Sequence, residues 1–172
     1  MSRVPVKHRA VADTCASDRA PGVCVPNSGS DAGGGCRTDA ECTAGSNGRC
    51  LSGRLPQCQC TYDTCTTDAD CAQMGGPCSC RPATQAGQGI IPPMSASNNF
   101  CLAGNCRVDS DCGAGGYCSP TFGSCGSFFG VSGYYCHTPK DKCVDDSDCK
   151  GSDCRYDPTG GSWACGTSFC AG

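Results

Sequence analysis

Cys106-Arg107-Val108-Asp109-Ser110-Asp111-Cys112 is a seven-residue unit that occurs four times along the chain. In each copy, five residues separate two cysteines. One acid stands three positions after the first cysteine, and a second acid stands just before the second cysteine. The other copies are Cys36–Cys42, Cys65–Cys71 and Cys143–Cys149. Repetition of this kind predicts tandem copies of one small structural unit.

The composition predicts that disulfide bonds, rather than a hydrophobic core, hold this chain together. Leu, Ile, Val and Phe supply 18 of its 172 residues, too little apolar surface to offset the entropy of ordering the chain. The 22 cysteines are even in number and can all pair. We therefore expect a small disulfide-rich fold of tandem cysteine-rich repeats, mostly irregular, with short β-hairpins and single helical turns. The half-cystines assigned to the repeats are Cys36, Cys42, Cys50, Cys65, Cys71, Cys78, Cys106, Cys112, Cys118, Cys125, Cys143, Cys149, Cys154 and Cys165.

The chain divides into four segments by composition. Residues 1–14 lack cysteine and mix basic with small residues, which indicates a flexible tail. Residues 15–80 hold repeats one and two, which both end in Cys-x-Cys, a pattern that supports internal duplication. Residues 81–100 are rich in Pro, Gly and Ser and are predicted to be a linker or a long loop. Residues 101–172 hold repeats three and four and most of the aromatic residues, with a hairpin predicted over residues 155–163.

Charge and hydropathy indicate a secreted or cell-surface protein in an oxidising compartment. The net charge of −3 and the absence of a basic run exclude a nucleic-acid-binding face. No apolar run is long enough for a transmembrane segment. No export signal is visible after Met1, so we expect that signal to lie upstream of this start.

The paired acids of the repeat allow two interpretations. In repeats one, two and four they match a capping box, in which an N-cap side chain binds the first amides of a helical turn and the later acid reaches back. We favour this structural role, with Thr38, Thr67 and Asp145 as caps. The alternative is calcium, which takes six to eight oxygen ligands, so the repeats would have to pool carboxylates. The candidate calcium ligands are Asp68, Asp70, Asp109, Asp111, Asp146 and Asp148, and no other cofactor is expected.

Motifs for soft metals and for catalysis are missing from the sequence. No Cys-x-x-Cys occurs, which argues against zinc, iron–sulfur and haem sites. His137 follows Cys136, but a catalytic Cys–His pair needs a free thiol, and an even number of cysteines leaves none evident. We expect Cys136 to be bridged, His137 to lie on the surface, and the chain to have no catalytic activity.

Residues Cys118–Cys125, followed by Gly133-Tyr-Tyr-Cys136, resemble the sugar-binding part of hevein-like chitin-binding modules. The resemblance implies that a serine and several aromatic rings hold one face of an N-acetylglucosamine unit. Stacking of aromatic rings on the apolar face of the sugar would be the physical basis. The alternative is that the rings fill a small core. The matching residues are Ser119, Phe122, Tyr134 and Tyr135.

The acid-bearing units also resemble the start of Dickkopf-type cysteine-rich domains. From about residue 36 to its end, the chain is similar to cysteine-rich secreted proteins and lipoproteins of myxobacteria. This similarity implies a secreted or surface location and no particular activity. It lies in Asn47–Cys50, Cys58–Cys71, Asn105–Cys112, Gly133–Pro139 and Trp163–Cys165.

These observations predict a secreted or cell-surface binding or structural module whose partner is an extracellular protein or a glycan. Two alternatives remain open, a hevein-like glycan-binding module and a calcium-dependent adhesion module.

Overall fold

The computed structural model describes residues 3–16, 24, 35–52, 58–80, 98–123 and 126–166. Short strands and one-turn 3-10 helices are the regular elements of this part of the chain. The 3-10 turns are Asp39–Glu41, Asp68–Cys71, Asp109–Cys112 and Asp146–Asp148, so one falls on each acid-bearing unit. The strands are β1 Ser46–Ser52, β2 Cys58–Asp63, β3 Gly75–Ser79, β4 Phe100–Gly104, β5 Cys118–Gly123, β6 Gly126–Cys136, β7 Asp153–Asp157 and β8 Ser162–Gly166. The predicted fold class is confirmed.

The strands form three small sheets. β1 pairs with β2 and β7 pairs with β8, each as an antiparallel hairpin. The third sheet has the order β3-β4-β6-β5, in which β4 and β6 are parallel and β5 and β6 are antiparallel. The predicted hairpin over residues 155–163 is confirmed, with Tyr156 opposite Trp163 and Gly161 at a positive φ of 64° in the turn.

All four repeats share one disulfide connectivity. The first cysteine of each repeat bonds the third, and the second bonds the fourth. The first-to-third bridges are Cys36–Cys50, Cys65–Cys78, Cys106–Cys118 and Cys143–Cys154. The second-to-fourth bridges are Cys42–Cys60, Cys71–Cys101, Cys112–Cys136 and Cys149–Cys165.

This connectivity changes two inferences drawn from cysteine spacing. The Cys-x-Cys pairs at the ends of repeats one and two are not equivalent. Cys58 leaves its repeat to bond Cys24, whereas in repeat two it is Cys80 that leaves, to bond Cys15. The fourth cysteine of repeat two is Cys101, so residues 81–100 fall inside a repeat rather than between two halves. Residues 81–97 of that segment, together with Cys125 of the predicted half-cystines, lie outside the described residues.

Backbone contacts separate the chain into two units, each with a core built around disulfides. One unit comprises residues 1–13, 71–77 and 101–172, and the other comprises residues 14–70 and 78–100. In the first unit, Tyr135, Tyr156 and the fully covered Trp163 pack against the two bridges of repeat four. In the second unit, Tyr62 packs against the bridges of repeat one. A small aromatic core therefore forms in repeat four, as the aromatic content of the second half indicates.

The connectivity predicts the outcome of a disulfide map. Non-reducing peptide mass spectrometry should recover Cys106 linked to Cys118 and Cys112 linked to Cys136. Cys78 should be linked to Cys65, and Cys58 to Cys24. A map that paired Cys58 with Cys78, or that joined neighbouring cysteines in order, would contradict the shared connectivity.

Candidate functional site

The first acid of each repeat closes the repeat by a hydrogen bond to the backbone. Its Oδ1 accepts the backbone N–H of the third cysteine, the same residue that the first cysteine bonds covalently. The disulfide and the hydrogen bond therefore both hold the third cysteine against the start of its repeat. The bonds are Cys50 N to Asp39, 2.7 Å; Cys78 N to Asp68, 3.0 Å; Cys118 N to Asp109, 2.8 Å; and Cys154 N to Asp146, 2.8 Å.

The second acid of each repeat reaches back to the start of the turn. It accepts backbone N–H groups three or four residues earlier, as Asp111 does from Arg107 at 2.8 Å and from Val108 at 3.3 Å. Glu41, Asp70 and Asp148 make the same contact in the other repeats. Backbone N–H donors favour the ionised carboxyl and lower the pKa of Asp111 and Asp148, and that of Asp70 to about 2.

The predicted contact of the later acid is confirmed, but the predicted side-chain hydrogen bond of the N-cap residue is not seen at Thr38 or Asp145. Asp145 instead accepts the backbone N–H of Val6 at 2.8 Å and pairs with Arg3 at 3.1 Å. A cap was unnecessary, because backbone bonds such as Asp148 N to the Asp145 carbonyl, 3.0 Å, already close each turn.

The six predicted calcium ligands are all engaged in these closures. The first acid of each repeat turns towards the third cysteine, whereas the second turns back over the start of the turn. Within repeat two, Asp68 and Asp70 thus bind different parts of the backbone. The sulfur atoms of Cys106, Cys112 and Cys136 lie within 4.8 Å of one another, but all three are disulfide-bonded and are not available as thiolate ligands. Calcium-dependent adhesion stays a prediction.

Removal of a first acid should destabilise the fold. Asp68→Ala leaves the buried Cys78 amide without its acceptor, which should cost about 1–3 kcal/mol of unfolding free energy. Denaturant titration of the disulfide-intact protein measures the loss. Asp13→Ala, at a carboxylate 72% exposed, is the matched control and should change stability by less than about 0.5 kcal/mol. Equal stability of the two variants would refute the closing role of the first acid.

His137 is buried, not on the surface as the sequence analysis expects. Its ring stacks on Trp163 with centroids 4.4 Å apart, and its Nδ1 lies 2.8 Å from Oδ2 of Asp141. Asp141 also accepts the backbone N–H groups of Thr138 and Trp163, which ties the start of repeat four to β8. Trp163, distant in sequence, covers the ring, so local sequence carries no signal of the burial.

The neighbours of His137 give it a structural role. Cys136 is bridged to Cys112, as expected, so no thiol lies beside the imidazole. Burial lowers the pKa of His137 from its ordinary value of 6.5, although the hydrogen bond to Asp141 and its charge act in the opposite direction. The neutral ring therefore predominates at pH 7 and serves as packing surface for Trp163.

The lowered pKa of His137 predicts a pH-dependent stability. As the pH falls below 6.5, the unfolded chain takes up a proton at this residue before the folded chain does, so the free energy of unfolding decreases. His137→Asn keeps a donor for Asp141 and cannot titrate. Thermal melts between pH 7.5 and 5 should show a smaller loss for the variant than for the parent chain. The same loss in both proteins would contradict the assignment.

A cleft of about 180 Å³ lies beside this core, on repeats three and four. Its lining includes Ser119 and Phe122 of β5, Asp145, and Asp146 of the fourth 3-10 turn. The Ser119 residue is only 3% exposed, and its hydroxyl has no hydrogen-bond partner among the described residues. Lys7 also lines the cleft, with its ammonium 4.8 Å from the centroid of the Phe122 ring.

The cleft brings together two of the four residues that the hevein-like resemblance implies. Ser119 and Phe122 line it, whereas Tyr134 and Tyr135 are not among its described lining residues. Tyr135 stacks on Tyr156 with centroids 3.7 Å apart and so belongs to the core. Sequence reasoning missed Lys7 and Asp145, since neither lies in the stretch that carries the resemblance.

Comparison with protein-family models, with curated proteins and with solved structures gave no match for this chain. Within the described residues, no helix is long and apolar enough to cross a membrane.

Proposed function

We propose that the chain is an extracellular binding module whose ligand is a saccharide held in the cleft of repeats three and four. Ten disulfides in the described residues, with no free cysteine among them, fit an oxidising extracellular environment. The observation that carries the proposal is that Ser119, whose buried hydroxyl has no partner among the described residues, lines the same cleft as Phe122.

The size and chemistry of the cleft favour a single sugar ring. Pockets for drug-sized ligands measure about 300–1,000 Å³, and this one is smaller, at about 180 Å³. The carboxylates of Asp145 and Asp146 can accept sugar hydroxyls, and Ser119 can donate to or accept from another. The Phe122 ring offers an apolar face to the C–H face of the sugar.

The proposed module is non-catalytic. The Asp141–His137 pair has the form of a base with an orienting acid, but both side chains are almost fully covered, at 1% and 0% exposed. A substrate in the cleft would have to reach the imidazole through Trp163, which stacks on it. A role in the core accounts for these contacts.

Loss of the Phe122 ring should weaken saccharide binding. We expect the parent chain to be retained on insoluble chitin or peptidoglycan, and Phe122→Ala to lower the affinity for an N-acetylglucosamine trisaccharide about tenfold, the value of one stacking contact. Tyr134→Ala is the control, because it removes a neighbouring ring that does not line the cleft. Isothermal titration calorimetry measures the affinities.

Two outcomes would refute this proposal. One is a parent chain that shows no affinity for either polymer or for the trisaccharide. The other is a Tyr134→Ala loss as large as that of Phe122→Ala, with the disulfide map of both variants unchanged.

A further inference from the structure

Residues 3–9, here called the basic segment, lie against the acids of repeats three and four. Arg3 pairs with Asp145 at 3.1 Å and with Asp148 at 2.7 Å. At the other end, His8 Nδ1 lies 2.7 Å from Oδ2 of Asp109. A basic side chain therefore lies against a carboxylate at each end of the segment.

The backbone of the basic segment also forms hydrogen bonds to repeats three and four. Arg9 donates its N–H to the Cys118 carbonyl at 2.9 Å, and its own carbonyl accepts the N–H of Asp109 at 2.8 Å. Asp145 accepts the N–H of Val6 at 2.8 Å, and Pro5 beside it is buried. These contacts fix the direction and register of the segment, which charge attraction alone would not do.

Closure of a repeat does not itself require a cation from another part of the chain. In repeat one the cation beside the first acid is Arg49 of that same repeat, 3.7 Å from Asp39. In repeat three His8 lies against the first acid, Asp109, and in repeat four Arg3 pairs with Asp145 and with the second acid, Asp148. Both residues belong to a segment that is more than a hundred residues away in sequence. The acids of these two repeats thus form a surface that accepts a separate length of chain.

The contacts between the basic segment and the acidic surface are weak enough for another peptide to replace the segment. Arg3 keeps 47% of its side chain exposed, and His8 keeps 28%. Val4 and Val6 are exposed at 52% and 82%, so apolar burial contributes little beyond Pro5. Exposed ion pairs contribute about 0–1 kcal/mol each and weaken with salt.

We propose that this surface is a docking site for a basic linear peptide of another protein, and that residues 3–9 occupy it in cis. The peptide would carry an arginine that pairs with Asp145 and Asp148, and a His-Arg pair that reaches Asp109 and the Cys118 carbonyl. An intramolecular segment acts at an effective concentration of about millimolar, so an external peptide competes only where the cis segment is weakened. The docking surface shares Asp145 with the saccharide cleft, but its contacts at Asp109, Asp148 and the Cys118 carbonyl lie outside that cleft, so the inference does not require a saccharide ligand.

Release of the basic segment can be measured in the full chain. In Arg3→Ala/His8→Ala, trypsin should cut after Arg9 more rapidly than in the parent chain, where the Arg9 side chain is only 11% exposed. Equal cleavage rates in the two chains would show that these pairs do not hold the segment, and would overturn the proposal.

Docking in trans is then tested with a fluorescent peptide of sequence Ser-Arg-Val-Pro-Val-Lys-His-Arg-Ala, residues 2–10. By anisotropy, it should bind the double variant at least tenfold more tightly than it binds the parent chain, and less tightly as salt is raised. A peptide with alanine in place of its arginine and histidine at positions 3 and 8 is the matched control. Equal affinity of the native and control peptides for the double variant, or equal affinity of the native peptide for both proteins, would overturn the proposal.

Discussion

The structure depends on a double closure that each repeat makes at its third cysteine. The side chain of that residue forms a disulfide with the first cysteine, and its backbone N–H is bound by the first acid, as for Cys118 with Cys106 and Asp109. The covalent bond restricts the unfolded chain, and the hydrogen bond orients the folded one. With so few apolar residues, this closure supplies the order that a hydrophobic core supplies elsewhere. The aromatic residues of repeat four then pack against cystines rather than against leucines.

The periodicity of the sequence predicts the repeat unit, but it does not predict the disulfide and hydrogen bonds that join one part of a repeat to another. The spacing of cysteines and acids predicts four units, each with a helical turn, and it anticipates that Asp111 reaches back over that turn. The partner of Asp109 follows from which cysteines pair, and connectivity is not encoded in spacing. For the same reason, the two Cys-x-Cys pairs wrongly indicated equivalent ends of repeats one and two, and the prediction that placed Cys101 outside repeat two was wrong. The burial of His137 depends on Trp163, and the ion pairs of the basic segment depend on acids more than a hundred residues away along the chain.

The cleft and the acidic surface on which the two proposals rest both lie in the first unit. Its cleft and its acidic surface share Asp145, which lines the cleft with Ser119 and Phe122 and also binds the basic segment through Arg3 and Val6. Lys7 of the segment lies over the aromatic ring that a sugar would use. The two proposed sites thus share Asp145 and Lys7, so displacement of the basic segment would change the lining of the cleft.

The shared closure has a consequence for how such a chain can change over evolution. The closure involves the first cysteine, the first acid and the third cysteine, and the stretch between the third and fourth cysteines is not part of it. The loops closed by the second-to-fourth bridges, which contain that stretch, vary widely in length, with sequence separations of 18, 30, 24 and 16 between the bonded cysteines. Insertions and substitutions there leave every closing bond in place. The repeat is thus a scaffold on which variable loops can be diversified, by natural selection or by a randomised library, without redesign of the framework.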